Sequence, residues 1–340
     1  MSNKKILLTG GLGYIGSHTA VSLLNSGYDV AIIDDLSNSH IEVKDAIQKI
    51  TGKEIDVIIG DCGKAADINR AFEECGPIYA VVHFAGFKAV GESVHKPLKY
   101  YKNNLESAIE TINACFKYGC KNFIFSSSAT VYGNAQRMPI VESDPLSYTQ
   151  PYGETKLVIE NMLCGICKAE KDFNVILLRY FNPVGAHESG LIGEDPNGIP
   201  NNLMPYITKV AVGKLEKLTI FGSDYPTPDG TCVRDFIHIT DLAEGHVRAV
   251  DKIGHLENNI EAVNLGRGKG VSVKELVDTF NEISNGACKA VYGPRREGDV
   301  PVSYADVKKA NEVLGWKARL GVKDMCISAY KWELSHMEKK

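Results

Sequence analysis

The feature that most constrains this chain of 340 residues is a glycine-rich turn close to its amino end. An apolar run over residues 6–8 comes just before Gly10, Gly13 and Gly16. Such a run is typical of a strand buried on both faces, and the glycines predict a tight turn into a helix. In a dinucleotide-binding turn of this spacing, one glycine bends the chain, one lets the backbone approach a pyrophosphate, and one lets helix and strand pack closely. Glycine-rich turns are also common without a ligand, so the surrounding sequence decides between the two interpretations.

Two carboxylates follow the turn at a distance that suits a dinucleotide. A helix is predicted over residues 17–26, closed by Gly27, and a second apolar strand over residues 29–33 ends in Asp34 and Asp35. This places a carboxylate roughly 20 residues past the glycines, where it can accept hydrogen bonds from ribose hydroxyls. Because a carboxylate would repel a 2′-phosphate, the sequence predicts NAD rather than NADP.

The rest of the first half alternates between apolar strands and helices. Strands are predicted over residues 55–59, 80–84 and 122–125, with helices over residues 39–51, 67–75 and 97–118. Alternation at this pitch predicts a doubly wound, Rossmann-type parallel α/β sheet with helices on both faces. Ligands of such sheets bind at the carboxyl ends of the strands. We therefore expect Gly13, Asp34, Asp61 and residues 85–88 to face one crevice.

Composition and charge exclude several other classes of protein. The chain is 44% hydrophobic and 24% charged, with a net charge of −4 and a pI near 6.2, which is ordinary for a globular protein. This balance gives no support for nucleic acid or an anionic membrane as a partner. No stretch approaches the roughly 20 apolar residues of a membrane span, and residues 1–5 lack the apolar run of a secretory signal. We expect a cytoplasmic protein.

The cysteines and histidines predict neither disulfides nor a metal site. Nine cysteines are scattered without the spacing of a disulfide framework. Cys164 and Cys167 form the one close pair, and two small helix residues explain it better than a redox or zinc motif. The nine histidines show no ligand spacing.

Three serines and a tyrosine–lysine pair stand where chemistry is expected. Residues 126–128 follow the strand over 122–125, although a polar turn is the plainer interpretation. Tyr152 and Lys156 begin an apolar-periodic helix and, being four residues apart, share one face. A nearby ammonium and a positively charged nicotinamide ring should lower the pKa of Tyr152 from its usual value of about 10. The pair then predicts a base that takes a proton from an alcohol.

On these residues the chain resembles the extended short-chain dehydrogenase/reductase family, and within it the UDP-glucose 4-epimerases, also called UDP-galactose 4-epimerases. The resemblance covers roughly residues 4–335, and its most specific stretches are residues 83–93, 125–133, 178–187, 198–206 and 295–299. It implies an NAD-dependent isomerase of galactose metabolism that reversibly epimerises UDP-glucose and UDP-galactose at C4. The sugar passes through a transient 4-keto form, and the NAD is expected to stay bound because no net oxidation occurs.

The resemblance also assigns roles to positions. Ser128, Tyr152 and Lys156 are implied to be catalytic, with Tyr152 as the base and Ser128 bonded to the same sugar oxygen. The expected cofactor contacts are Gly10, Gly13, Tyr14, Ile15, Gly16, Asp34, Asp35, Leu36, Ser37, Asn38, Ser39, Asp61, Cys62, Phe84, Ala85, Gly86, Phe87, Lys88, Asn103, Ser128, Tyr152, Lys156, Tyr180 and Phe181.

A second region is expected to hold the UDP-sugar. After residue 180 the chain becomes loop-rich, with many prolines and glycines. We expect a Rossmann domain over residues 1–180 and a smaller, mainly UDP-sugar-binding α/β domain over residues 181–340. This second domain leaves room for some of its segments to return to the Rossmann sheet. The implied substrate contacts are Lys88, Ser128, Tyr152, Phe181, Asn182, Asn202, Leu203, Thr219, Ile220, Phe221, Arg234, Phe236, Arg296, Asp299 and Ser303.

Two positions depart from the family pattern. Phe236 stands where many members carry a tyrosine, which removes one hydroxyl near the nucleotide. Ser303 occupies a position that helps to set the size of the sugar pocket, where a small residue is associated with N-acetylated sugars. The resemblance therefore implies that UDP-GlcNAc and UDP-GalNAc are interconverted as well.

The resemblance also bears on two alternative functions and on the oligomeric state. A nucleotide-sugar 4,6-dehydratase or decarboxylase is the alternative enzyme on this scaffold, but those dehydratases carry an acidic pair beside the catalytic hydroxyl, whereas Ala129 and Thr130 follow Ser128 here. A non-enzymatic NAD sensor would typically lack the tyrosine or the lysine. The family further implies a homodimer formed through helices over residues 97–118 and 157–171.

Overall fold

A parallel sheet lies at the centre of the fold in the computed structural model, which describes residues 4–197, 200, 202–296 and 298–337. Its strands and the shorter ones outside it are β1 Lys5–Thr9, β2 Asp29–Asp34, β3 Asp56–Ile59, β4 Ala80–His83, β5 Asn122–Ser128, β6 Asn174–Tyr180, β7 Asn182–Val184, β8 Leu218–Phe221, β9 Val233–Arg234, β10 Phe236–His238, β11 Ile260–Leu265, β12 Val271–Ser272, β13 Ala290–Gly293 and β14 Val302–Ser303.

Helices lie on both faces of this sheet and around a second, smaller core. They are α1 Tyr14–Asn25, α2 Glu42–Thr51, α3 Ala65–Cys75, α4 Val90–His95, α5 Pro97–Tyr118, α6 Pro151–Ala169, α7 Leu203–Ala211, α8 Ile239–Lys252, α9 Val273–Ser284, α10 Lys308–Leu314 and α11 Val322–Met337, with short 3-10 turns at Ala129–Val131 and Ile253–His255.

Within the described residues, seven strands form the central sheet in the order β11-β6-β5-β4-β1-β2-β3, and all of its pairings are parallel. Successive residues of a strand point to opposite faces. Leu8 therefore packs in a core with α1 and α8, whereas Leu7 packs in a second core with α3, α5 and α6. The predicted fold class, a doubly wound Rossmann-type α/β sheet, is confirmed.

The second half of the chain divides between two places. Strand β11 pairs with β6 at one edge of the central sheet, in register from Ile260 with Val175 to Leu265 with Tyr180. Helices α7, α9 and α11 instead surround a separate core with β8 and β10. This second core is built on short sheets: β7 with β10, β8 with β13, and β9 with β12 and β14.

Some predicted positions fall on residues without a described structure. Gly198, Ile199 and Asn201 belong to one family-like stretch and Glu297 to another, and they lie outside the described residues, as do residues 1–3. Across the described ranges, no helix has both the length and the apolar character needed to cross a membrane.

Candidate active site

A cavity of about 930 Å³ opens at the carboxyl ends of β1, β2, β3 and β4. The order of these strands reverses at β1, so the loops after β1 and β4 diverge and leave a crevice between them. Gly13, Asp34, Asp61 and Lys88 each follow or end a different strand, and all four line the cavity. The structure thus brings together the four strand ends that the sequence placed at one crevice.

The glycine turn shapes one wall of this cavity. Gly10 has a φ of +67°, and a Cβ there would lie 3.0 Å from the backbone nitrogen of Ala85. At Gly16 a Cβ would lie 2.6 Å from the carbonyl oxygen of Gly10, so α1 can start against the turn only with glycine at this position. Gly13 precedes α1 and offers no side chain to cap it, which leaves the amino end of the helix at the cavity wall.

Asp34 ties the second strand to the glycine turn. Its buried carboxylate accepts hydrogen bonds from the backbone nitrogen of Leu12 at 2.9 Å, the backbone nitrogen of Leu36 at 3.0 Å and the hydroxyl of Ser39 at 2.6 Å. Asp35 is exposed and accepts one bond, from the backbone nitrogen of Ser37 at 2.9 Å. Two carboxylates therefore lie at the cavity, of which Asp34 is largely engaged by the protein and Asp35 is available.

The loop after β4 is held by one asparagine of α5. Asn104 accepts a hydrogen bond from the backbone nitrogen of Phe87 at 2.8 Å and donates to the carbonyl of Phe87 at 3.1 Å and to Thr155 Oγ1 at 3.0 Å. The neighbouring Asn103 lines the cavity instead. The side-chain amide of Asn104 is buried, and both its oxygen and its nitrogen are hydrogen-bonded within the protein. These bonds offset the low helix propensity of asparagine in a helix interior.

Tyr152, Lys156 and Ser128 meet at the junction of α6 with β5. Helix α6 starts at Pro151, and Tyr152 and Lys156 both line the cavity from its first two turns. Lys156 is 5% exposed, and its ammonium donates to the carbonyl of Ser126 at 2.7 Å and lies 5.9 Å from the centre of the Tyr152 ring. The hydroxyl of Ser128 accepts from the backbone nitrogen of Thr130 at 3.2 Å and lies close enough to Tyr152 to affect the pKa of that phenol.

Burial dominates the electrostatics of this junction. It raises the pKa of Tyr152, and the hydrogen bond from Ser128 opposes that shift. It lowers the pKa of Lys156 to about 8, opposed by the charge of Glu160. Among the protein's own groups, the burial of the phenol outweighs the opposing contribution of Ser128. The lowering of the Tyr152 pKa by Lys156 together with a nicotinamide ring stays a prediction.

The predicted substrate arginines lie in a second cluster, around β9 and β14. Arg234 faces Asp299 at 3.6 Å and donates to the carbonyl of Val300 at 2.7 Å, and Arg296 donates to Asp299 at 2.8 Å. Ser303 is the register partner of Arg234. Arg296 also lies over the ring of Phe221, 5.8 Å from its centre. Two guanidinium groups, one carboxylate and an aromatic ring are thus brought close together.

Glu194 connects the cavity with the substrate region. It lines the cavity and accepts hydrogen bonds from the Lys88 ammonium at 3.1 Å and the Asn202 side-chain amide at 2.6 Å. Within the described part of the chain, the predicted residues that do not line the cavity are Leu36, Ser128, Phe181, Asn182, Asn202, Leu203, Thr219, Ile220, Phe221, Arg234, Phe236, Arg296, Asp299 and Ser303.

Three of those residues lie in hydrophobic cores. Phe181 packs with Val131 and Tyr132, whereas Ile220 and Phe236, the latter 3% exposed, belong to the core under α7, α9 and α11. The Phe236 ring therefore contributes to packing, and a hydroxyl at its edge would have to find a partner in that core.

The model of the NAD dependent epimerase/dehydratase family matches residues 6–266. The chain belongs to this family. Full-length relatives agree: UDP-glucose 4-epimerase of Bacillus subtilis is 52% identical over 332 residues, covering 98% of this chain and 97% of that protein. The UDP-glucose 4-epimerase of Dictyostelium discoideum is 50% identical, covering 97% and 95%. The resemblance predicted from the motifs is confirmed.

Solved structures of the family match the fold closely. UDP-glucose 4-epimerase from Bifidobacterium longum, in complex with NAD+ and UDP, superposes with a TM-score of 0.95 at 46% identity, over 99% of this chain and 100% of that one. The enzyme from Stenotrophomonas maltophila, with bound NAD and formylated UDP-arabinopyranose, superposes with a TM-score of 0.96 at 43% identity, over 99% and 100%.

One wall of the cavity is formed by residues that no sequence motif predicted. Residues 191–197 line it, together with Trp332 and His336 of α11. The backbone nitrogen of Asn197 donates to Asn38 Oδ1 at 3.2 Å, and the side-chain amide of Asn197 donates to the carbonyl of Ser37 at 3.1 Å. These contacts join segments about 160 residues apart, and no local motif signals them.

Among the described residues, the cysteines form no disulfide, and no cluster of side chains is placed to bind a metal. All nine cysteines are free, including Cys164 and Cys167. No group of three or more His, Cys, Asp or Glu side chains among the described residues is placed to hold a metal ion.

Proposed function

We propose that this chain catalyses the reversible epimerisation of UDP-glucose and UDP-galactose at C4 and keeps its NAD bound throughout. The observation that carries this conclusion is the junction of Tyr152, Lys156 and Ser128 beside a cavity built on a dinucleotide turn. The same arrangement belongs to a chain that is about 50% identical along its length to UDP-glucose 4-epimerases.

The cavity fits the dinucleotide in shape and chemistry. The uncapped amino end of α1 and the close approach permitted by the glycine turn suit a pyrophosphate. Asp34 and Asp35 stand at the end of β2, where ribose hydroxyls need acceptors. Lys156 lies beside Tyr152 at the cavity and would face the nicotinamide end, and Phe84 and Lys88 line the same cavity. When bound there, NAD supplies the acceptor and later the donor of the C4 hydride.

The chain's own residues handle the proton. Tyr152, as phenolate, takes the proton of the sugar's 4-hydroxyl and returns it when the alcohol is formed again. Ser128 hydrogen-bonds the phenol and the same sugar oxygen, which stabilises the charge that develops there. The Lys156 ammonium is anchored on the carbonyl of Ser126 and adds a positive charge beside the phenol.

Inversion at C4 requires the 4-keto sugar to turn over without leaving. A firm hold on the nucleotide and a loose hold on the sugar achieve this, because binding energy remote from C4 retains the intermediate. Arg234 and Arg296 would pair with the diphosphate through forked guanidinium contacts, and Asp299 would accept from the uridine ribose. Both arginines now pair with Asp299, so this cluster is preorganised around one carboxylate.

We extend the proposal to N-acetylated sugars on the basis of Ser303. Its small, half-buried side chain sits beside Arg234 in the register of β14 and β9. UDP-GalNAc should therefore turn over as well as UDP-galactose. Introducing bulk by Ser303→Tyr should abolish turnover of UDP-GalNAc and spare that of UDP-galactose. A wild-type protein that converts only UDP-galactose would contradict this extension.

The division of labour between the two halves is also a proposal. Residues 1–180 would form the NAD-binding domain and residues 181–340 mainly the UDP-sugar-binding domain. The separate core under α7, α9 and α11 supports this boundary, while β11 and α8 join the Rossmann sheet from the second half. We also place the protein in the cytoplasm, a reducing compartment that would keep its nine free cysteines as thiols.

A homodimer through α5 and α6 completes the proposal. Apolar side chains stand exposed on these two helices: Leu98, which is 81% exposed, and Ile109, Phe116 and Val158. Exposed apolar residues gathered on neighbouring helices mark an association surface. Two copies meeting here would bury them in a symmetric contact.

Incubation of the purified protein with UDP-galactose, followed by chromatography of the nucleotide sugars, tests the activity. We expect UDP-glucose to appear until the two sugars reach equilibrium. The 4,6-dehydratase alternative would instead release a keto sugar, and a non-enzymatic NAD sensor would release nothing. Either of those results would contradict the proposal.

A further inference from the structure

Helix α6 is fastened to the end of β5 by three successive contacts. Tyr152, Lys156 and Glu160 are spaced by four residues and share one face of the helix. Tyr152 faces Ser128, the Lys156 ammonium donates to the carbonyl of Ser126 at 2.7 Å, and Ser127 donates its hydroxyl to Glu160 at 2.5 Å. The first two contacts belong to the proposed proton chemistry, whereas the third has no place in it.

Glu160 is held rigidly from its other side. Arg179 of β6 donates to it through Nε at 3.0 Å and through Nη2 at 2.7 Å, in a forked contact. The two side chains are 2% and 4% exposed. Every carboxylate oxygen of Glu160 is therefore engaged, and the rotamer that meets Ser127 is fixed.

The same arginine also fixes the segment that follows Ser128. Its Nη1 donates to the hydroxyl of Tyr132 at 2.9 Å and to the carbonyl of Glu142 at 3.0 Å. Tyr132 in turn donates to Asn264 of β11 at 2.6 Å. The side chains of Ser127 and Tyr132, which lie on either side of Ser128 in the sequence, thus belong to one buried network that spans α6, β5, β6 and β11.

We propose that Glu160 is a positioning residue, which holds Ser127 through a carboxylate clamped by Arg179 and so sets where the adjacent Ser128 hydroxyl meets Tyr152. This inference rests on the proposed function, in which Ser128 and Tyr152 handle the proton. Stability alone is a weak reason for such a pair, because apolar residues of similar volume often replace buried ion pairs without loss. A requirement for position at the reacting oxygen explains it, since small displacements there cost a large part of the rate.

Several other titratable groups surround these contacts. Cys164 faces Glu160 and Arg179, Tyr100 faces Tyr152, and burial raises the pKa of each. His83 of β4 faces Lys156, and burial lowers the pKa of His83 to about 3, so it is neutral at physiological pH. Tyr132 and Tyr180 lie on the sides of Arg179 and Tyr152, and burial raises the pKa of each. Glu142, whose pKa burial raises, faces Arg179. Glu160 is thus the carboxylate whose charge acts on Lys156 directly.

Ser127→Ala tests the inference, because it removes the contact to Glu160 and leaves the ion pair in place. We expect kcat with UDP-galactose to fall about tenfold or more while KM changes less than about twofold, since the nucleotide contacts are untouched. The matched control is Thr111→Val, which deletes a buried hydroxyl that bonds within α5, and it should behave as wild type.

A second readout does not depend on turnover. The ultraviolet absorbance of the Tyr152 phenolate, taken on the purified holoprotein as the difference between each protein and its Tyr152→Phe counterpart, should titrate at higher pH in Ser127→Ala. The sign follows because a displaced Ser128 no longer stabilises the phenolate. An unchanged titration together with wild-type kcat would overturn the inference.

Glu160→Gln provides a second variant. It keeps the volume and an acceptor for Ser127 but leaves the Arg179 charge unpaired, so we expect a lower melting temperature together with lower kcat. If this variant does not fold, Ser127→Ala still decides. If the wild type itself forms no UDP-glucose, the proposed function fails, whereas the Tyr152 titration still judges the positioning role.

Discussion

At the scale of single residues, the candidate site depends on how readily the phenol of Tyr152 loses its proton. Tyr152 is placed by the first turn of α6, and its own burial works against ionisation. Ser128 opposes that penalty, and Lys156 supplies a positive charge beside the ring. A positively charged nicotinamide ring bound in the same cavity would add a second positive charge near the phenol. The protein's own groups do not supply that second charge.

Tyr152→Phe should remove the proton transfer and leave the fold intact. We expect kcat to fall by about 10²–10⁴-fold, the usual contribution of a positioned acid or base. Epimerisation of UDP-galactose measures the loss, and circular dichroism and melting temperature report on the fold. A variant that retains wild-type kcat would exclude Tyr152 as the base.

Ser128→Ala should move the pH profile rather than only lower the rate. The hydrogen bond from Ser128 lowers the pKa of Tyr152, so its loss raises that pKa. Because the phenolate is the active form in the proposed mechanism, the limb on which kcat/KM rises with pH should shift to higher pH. Measuring kcat/KM across the pH range tests this, and a shift to lower pH would contradict the assigned role.

At the scale of elements, the parts that the sequence predicted well have local signals. Helix α5 runs from Pro97 to Tyr118 as predicted, because proline at its first turn and the left-handed Gly119 after it define both ends. Strand β5 extends three serines beyond the predicted end, because Ser126, Ser127 and Ser128 continue the pairing with β6. The apolar pattern stops at Phe125 because the next three residues are polar, but the backbone hydrogen bonds of the sheet continue through those residues.

The glycine turn yields a prediction about the cofactor. In Gly16→Ala the new Cβ would lie 2.6 Å from the carbonyl oxygen of Gly10, so α1 must move away from the turn. We expect the purified variant to carry much less NAD than wild type, measured in the extract of the heat-denatured protein. Asn25→Ala, at an exposed position of the same helix, is the control and should retain its NAD.

At the scale of the whole molecule, contacts between segments far apart in the chain cannot be predicted from the local sequence. Residues 191–197 reach the loop after β2 through Asn197, and Trp332 comes from the last helix. The network from Glu160 through Arg179 and Tyr132 to Asn264 likewise joins four separate elements. Each of these residues has an ordinary local context, so only the folded chain reveals what it contacts.

The proposed homodimer is tested at this scale. Leu98→Asp places a charge in the apolar surface of α5 and α6 at a side chain that is 81% exposed, so it should leave the protomer folded and shift the protein to monomers. Sedimentation velocity measures this shift. Leu215→Asp, at an exposed leucine outside these helices, is the control and should leave the dimer intact. A wild-type protein that sediments as a monomer would remove this part of the proposal.

In the proposed reaction, the C4 hydride leaves the sugar and returns to it within one protein molecule that already holds its NAD. UDP-galactose labelled with deuterium at C4 tests this most directly, in ordinary water and with no NAD added. We predict that UDP-glucose forms with the deuterium retained at C4. Loss of the label to solvent, or a requirement for added NAD in every turnover, would contradict the account.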